Sequence, residues 1–317
     1  MTRADQSNLS KRIAQLSVEK RELLRKLAMR ENATAGPSLP PAPGPEDPLV
    51  ISRDTISVDE GKEHGRQLFE LVNQNLDRTP FATHAVFLNF GYVANENPRL
   101  SPIQLPRYCL NRNSVQLALE VIADVQLSGR TVVDVGCGRG GTIAAMKTYF
   151  SPGLVVGVDF SRSAIAFCRR THRFERTRFV EGNAQELPLG NARFCVLTSI
   201  ESACGYSDIE RFFGEALRVL RPGGLFLYAD VVPRKGLTER RQLLTDIGFV
   251  VESERDITSN VILSCDETAK VHRTTLGGGH EDEVVDNFLG SPDSNVYQQM
   301  SSGELVYLIY KAKRTGA

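Results

Sequence analysis

The chain has 317 residues, 41% hydrophobic and 24% charged, enough for a sizeable soluble core and, at roughly 150 residues each, about two domains. Its 38 Lys and Arg balance 38 Asp and Glu, so no global basic field favours nucleic acid or an anionic membrane. No apolar run approaches the roughly 20 residues that span a bilayer, and the polar start lacks a signal peptide's apolar segment, so a cytoplasmic, membrane-free protein is expected.

Residues 1–30 predict an amphipathic helix. Leu9, Ile13, Leu16, Leu23 and Leu27 follow coiled-coil spacing, and eight basic residues face three acidic ones. Such a helix either packs on itself or docks a partner protein. Residues 31–51 hold Pro37, Pro40, Pro41, Pro43, Pro45 and Pro48, which excludes helix and favours a semi-stiff linker. Residues 52–127 read as a mainly helical cap, with one apolar face on 65–75 and another on 113–125. Between these helices lies the aromatic turn Phe87-Leu88-Asn89-Phe90-Gly91-Tyr92.

From residue 128 to 317 the pattern becomes α/β. Thr131 to Val135, Leu154 to Asp159, Thr177 to Glu181, Phe194 to Ile200 and Leu225 to Val231 are short apolar runs separated by helix-compatible stretches, the alternation of a doubly wound sheet. Phe249 to Arg255 and Glu304 to Lys313 predict two more strands. The polar insertion between them, about 257–300, far exceeds an ordinary loop and suits a lid.

The six cysteines form no C-x-x-C pair and the five histidines no H-x-x-x-H or H-E-x-x-H pattern, so no metal site is expected. The strongest motif is Asp134-Val135-Gly136-Cys137-Gly138-Arg139-Gly140-Gly141, between a strand and a helix. It satisfies the dinucleotide fingerprint G-x-G-x-x-G, with Asp159 ending the next strand. However, Asp134 lies two residues before the first glycine, where a carboxylate opposes a pyrophosphate and favours a cationic cofactor such as S-adenosylmethionine. In that reading Asp134, Gly136 and Gly138 hold the amino-acid part and Asp159 accepts both ribose hydroxyls. Asn183 and Ala184 then meet the adenine. Asp159 as a helix cap and Asn183 as a turn residue are the structural alternatives.

These residues, with Gly157-Val158-Asp159, Gly182-Asn183-Ala184 and Leu220-Arg221-Pro222-Gly223-Gly224, resemble class I S-adenosylmethionine-dependent methyltransferases. The Gly-Cys-Gly-Arg-Gly-Gly form, Leu88 to Tyr92 and Ile200-Glu201-Ser202 resemble the O-methyltransferases of polyketide and lipid biosynthesis, including the phthiotriol methyltransferase group. The resemblance implies a Rossmann-like seven-stranded sheet with the last strand antiparallel and a helical N-terminal cap. It also implies O-methylation of a hydroxyl on an apolar small molecule, free or carrier-tethered, with Asn89 and Tyr92 closing over the cofactor. Leu16 to Leu24 resembles segments at assembly-line module junctions, which implies protein docking through residues 1–30.

An aliphatic hydroxyl needs a general base, and Glu201, beyond the fourth strand, is the first candidate, as base or as the partner that orients one. Relatives carry a histidine three residues later, where this chain has Cys204. His280, on the glycine-rich stretch 277–279, and His84 are the alternative bases, and Glu281, Asp282, Glu283 and Asp286 read as a solvated acidic face. An N- or C-methyltransferase, or a non-catalytic cofactor-binding scaffold, stays open at this stage.

Overall fold

The computed structural model describes residues 83–95, 99–276, 290–292 and 294–316, with residues 70, 72–74, 76 and 77. The docking segment 1–30, the linker 31–51 and His280 lie outside the described residues. After an irregular stretch from residue 83, α1 (Arg112–Ile122) leads into β1 (Thr131–Val135), α2 (Gly141–Tyr149), β2 (Leu154–Asp159), α3 (Arg162–Thr171), β3 (Thr177–Glu181) and β4 (Phe194–Ile200). There follow α4 (Ile209–Val219), β5 (Leu220–Pro233), α5 (Leu237–Ile247), β6 (Phe249–Asp256), α6 (Thr258–Leu276), α7 (Asn295–Ser302) and β7 (Leu305–Arg314).

The seven strands form one sheet in the order β3-β2-β1-β4-β5-β7-β6. β1 to β5 pair in parallel, and β7 enters antiparallel between β5 and β6. Alternate residues of each central strand feed opposite layers, as the period of two requires. Val132, Val155, Val196 and Leu227 pack with α1, α2 and α3 on one face, and Val133, Val156, Leu197 and Phe226 with α4 and α5 on the other. Each such side chain, removed from water, contributes roughly 1.5–3 kcal/mol. Burial on both faces explains why these strands read as unbroken apolar runs.

Two features depart from the sequence reading. β5 begins at Leu220 rather than Leu225. Phe194 pairs with Leu220 and Val196 with Leu225, so Arg221-Pro222-Gly223-Gly224 forms a bulge within the strand. The insertion at 257–300 opens with the 19-residue α6, whose Val261 and Cys265 are buried in the core with Ile257. Among the described residues, no helix is long and apolar enough to cross a membrane.

Candidate active site

β1 delivers the chain to the glycine loop at the C-terminal edge of the sheet. Gly136 adopts a φ of +73°, and a Cβ there would stand 2.3 Å from the Cβ of Ser202, so glycine lets the loop after β4 lie against it. The Gly138 amide donates to Asp159 Oδ2 at 2.7 Å and the Ser161 amide to Oδ1 at 2.8 Å. Burial raises the Asp159 carboxyl, opposed by these amide donors. Ser161, not Asp159, caps α3, its hydroxyl accepting from the Ala164 amide at 3.2 Å. Asn183 Oδ1 accepts from the Gln185 amide at 2.9 Å, so part of its hydrogen-bonding capacity is spent in its own turn.

Gly136, Gly138, Asp159, Asn183, Ala184, Asn89 and Glu201 line a single cavity of about 860 Å³. Asp134 and Tyr92 do not line it. Asp134 sits inside the sheet in register with Gly157 and Thr198. Its Oδ1 accepts from the Thr198 hydroxyl at 2.6 Å, and its Oδ2 is buried without a partner among the described residues. Burial, opposed by that hydroxyl, pushes its carboxyl up to about 7. Tyr92 corrects the sequence expectation: it is 1% exposed in the core, with its amide on the Asn113 carbonyl at 2.9 Å. The chain turns at Gly91, whose φ is +80° and whose Cβ would meet Ser264 Oγ at 2.5 Å. That turn sends the next side chain into the core instead of the cavity.

Glu201 stands just past β4 with a φ of +51°, a conformation that costs a non-glycine residue energy and that surrounding contacts must hold. Its amide donates to the Ala229 carbonyl at 2.8 Å. Oε1 accepts from the Phe90 amide at 2.9 Å and the Tyr307 hydroxyl at 2.9 Å, while Oε2 accepts from the Phe90 amide at 3.1 Å. Burial pushes the Glu201 carboxyl up to about 8 despite both donors, with nearby Asp230 adding to the rise. Tyr307 is itself raised by burial and by Glu201, so it stays a donor. Cys204 opens onto the same cavity. Although the residue is exposed, desolvation of its thiol and the nearby Asp230 raise it, so it remains neutral and is no proton acceptor. His84 is exposed, contacts Thr83 Oγ1 at 3.2 Å and does not line the cavity.

Sequence reasoning missed four participants. Tyr307 and the Phe90 amide reach Glu201 across 106 and 111 residues, and no local pattern announces such pairings. Asp230 lines the cavity and accepts from the Cys204 and Val231 amides at 2.9 Å each; an acid inside the apolar run of β5 was a readable signal. Arg139, between the loop glycines, is 1% exposed and ties Ala85 and Asp77 to the loop.

Residues 133–228 match the methyltransferase domain family. A fatty-acid O-methyltransferase of Mycolicibacterium smegmatis is 35% identical over 214 residues, covering 68% of this chain and 77% of that protein. Phthiotriol/phenolphthiotriol dimycocerosates methyltransferase 1 of Mycobacterium ulcerans is 31% identical over 236 residues, 72% of this chain and 83% of that protein. The geranyl diphosphate C-methyltransferase of Streptomyces coelicolor, solved with S-adenosyl-L-homocysteine, superimposes with a TM-score of 0.58 at 18% identity, over 78% of this chain and 98% of that one. The cyclase SpnF gives 0.62 at 20% identity, over 81% and 97%. At these identities the two structures share the fold alone.

The site fits the cofactor these relatives imply. Asn89 lines the cavity with an Oδ1 that is buried and without a partner among the described residues, and a buried unpaired acceptor is costly until a donor or cation meets it. A sulfonium and an ammonium are such partners, whereas a pyrophosphate is not. The chain belongs to the class I S-adenosylmethionine-dependent methyltransferases, with S-adenosylmethionine as its methyl donor.

Proposed function

We propose that this enzyme methylates a hydroxyl oxygen of an apolar, lipid-like or polyketide-like small molecule, with Glu201 as the general base. The carrying observation is Glu201 itself: a carboxylate on the cavity wall, oriented by Phe90 and Tyr307, with its proton affinity lifted into the neutral range. Phe90, Ile200, Val296 and Leu305 give that part of the wall an apolar character, and the relatives' names supply the lipid class.

Bound S-adenosylmethionine supplies an electrophilic methyl on a cationic sulfur. Asp159 would hold the ribose hydroxyls, Asn183 and Ala184 would border the adenine, and Asn89 would provide an acceptor at the amino-acid end. In-line transfer needs mainly proximity and alignment. Glu201 Oε2, bonded only to the Phe90 amide among the described residues, accepts the hydroxyl proton as the oxygen becomes nucleophilic. Cys204, His84 and the acids at 281–286 have no part in this reading.

A base works only when deprotonated. With the Glu201 carboxyl near 8, the transfer rate should rise with pH through about 8. Tyr307 donates to this carboxylate and lowers its proton affinity, so Tyr307→Phe should move the rising limb upward. A pH–rate series on both enzymes, with a long-chain alcohol as acceptor, checks this. A limb unmoved by the substitution would remove Tyr307 from the role. A second reading comes from the same carboxyl. Still protonated at neutral pH, it could donate to a carboxylate acceptor of the kind the fatty-acid relative's name indicates, and the rate would then fall above about 8.

A further inference from the structure

The stretch between Ala85 and Phe90 joins the two halves of the site. At its start, the Ala85 carbonyl accepts from Arg139 Nε at 2.6 Å. Arg139 lies within the glycine loop, its guanidinium 3.5 Å from the ring centre of Phe167 and its Nη1 2.9 Å from Asp77 Oδ1, with Asn73 Oδ1 at 3.4 Å. Asp77 Oδ2 also accepts from Arg170 of α3 at 3.0 Å, and the Arg139 carbonyl bonds His172 Nε2 at 2.8 Å. Along the stretch, Phe87 packs so close to Gly141 that a Cβ there would lie 2.5 Å from its ring. At its end the Phe90 amide reaches both oxygens of Glu201, and the Phe90 carbonyl accepts from Ser264 of α6 at 2.7 Å.

We propose that Arg139 is a positioning residue for Glu201: it clamps residues 85–90 across the cofactor loop, so that the Phe90 amide is held against the carboxylate. The inference rests on the Glu201 reading above and adds to it a link between the seating of residues 85–90 on the glycine loop and the readiness of the base. A guanidinium suits the task because its planar fork serves a carbonyl and a carboxylate at once while stacking on an aromatic face. Lysine offers a single point charge. The other groups facing Glu201 are Tyr307 on β7, Asp230 on β5, Cys204 on its own loop and Cys265 on α6. The side-chain contacts of Arg139 described above reach Ala85, Asn73, Asp77 and Phe167, so loosening the clamp acts on Glu201 through the Phe90 donor. Losing that donor raises the carboxyl's proton affinity, because the amide stabilises the charged form.

The test uses the full chain with S-adenosyl-L-homocysteine bound. Protein labelled with carbon-13 at the glutamate side-chain carboxyl is titrated by nuclear magnetic resonance, with Glu201→Gln identifying the resonance. Arg139→Lys and the milder Asp77→Asn should each raise the Glu201 midpoint by about half a pH unit or more and speed amide exchange across 85–91. A midpoint in Asp77→Asn within about 0.2 of the parent, in a folded protein, would overturn the inference. The base reading fails separately, if Glu201→Gln keeps the parent rate while the midpoint shift is still seen.

Discussion

Glu201→Gln is expected to lower the rate of methyl transfer by about 10²–10³-fold, within the range that general-base catalysis contributes, while leaving S-adenosyl-L-homocysteine affinity nearly unchanged. The amide is close in shape to the carboxyl. It can still accept from Phe90 and Tyr307, whose bonds to Glu201 span 2.9–3.1 Å, and so the backbone at φ +51° stays supported. What it cannot do is take a proton. Burial makes the contrast sharper, because a carboxyl pushed up to about 8 is a stronger base than an exposed one and no other group on the described wall replaces it. The Cys204 thiol is held neutral by desolvation and Asp230, and Asp230, pushed up only to about 6 by burial, is the weaker base. Single-turnover kinetics with calorimetry on the same variant separate the two effects. A variant with the parent rate would acquit Glu201.

Asp159→Ala should weaken cofactor binding by about 100-fold. The carboxylate at the tip of β2 can accept from both ribose hydroxyls, and hydrogen bonds to a charged group contribute roughly 1.5–3 kcal/mol each, where 1.4 kcal/mol is ten-fold in affinity. The substitution also strips the Gly138 and Ser161 amides of their acceptor. The glycine loop then loses its tie to β2 at the place where it meets the ligand. The fold should survive, because β2 is held by pairing along β1 and β3 and α3 keeps its own cap at Ser161. Calorimetric titration with S-adenosyl-L-homocysteine, beside a thermal melt, gives both answers. Unchanged affinity would mean that β2 does not end at the cofactor.

The sheet was legible because its strands are buried on both sides. β1, β2 and β4 carry apolar runs bounded by glycine or charge, and the ends of these strands and of the edge strand β3 match the sequence reading residue for residue. α6 was not legible, since Ile257, Val261 and Cys265 keep helical spacing inside a polar stretch and only packing shows that they face the core. The cofactor side of the site followed from the glycine loop and the strand-end acid, whose chemistry is local. The base's surroundings were not local: Glu201 is completed by a backbone amide from the cap and a phenol from the last strand. Tyr92 illustrates the converse error, as one left-handed glycine before it reverses which side of the chain a residue faces. Arg139 stood in plain view inside the motif, but its partners, Ala85 and Asp77, lie 54 and 62 residues away.

Where the methyl group lands decides the reading most directly. The full-length enzyme, given S-adenosylmethionine labelled with carbon-13 in its methyl and a panel of long-chain alcohols, hydroxylated lipids, amines and fatty acids, yields products whose labelled carbon reports its neighbour by chemical shift. The expected result is a single labelled methyl on a hydroxyl oxygen, formed faster as pH rises through about 8 and lost in Glu201→Gln. Label on carbon or nitrogen, or tight cofactor binding with no labelled product from any acceptor, would contradict it.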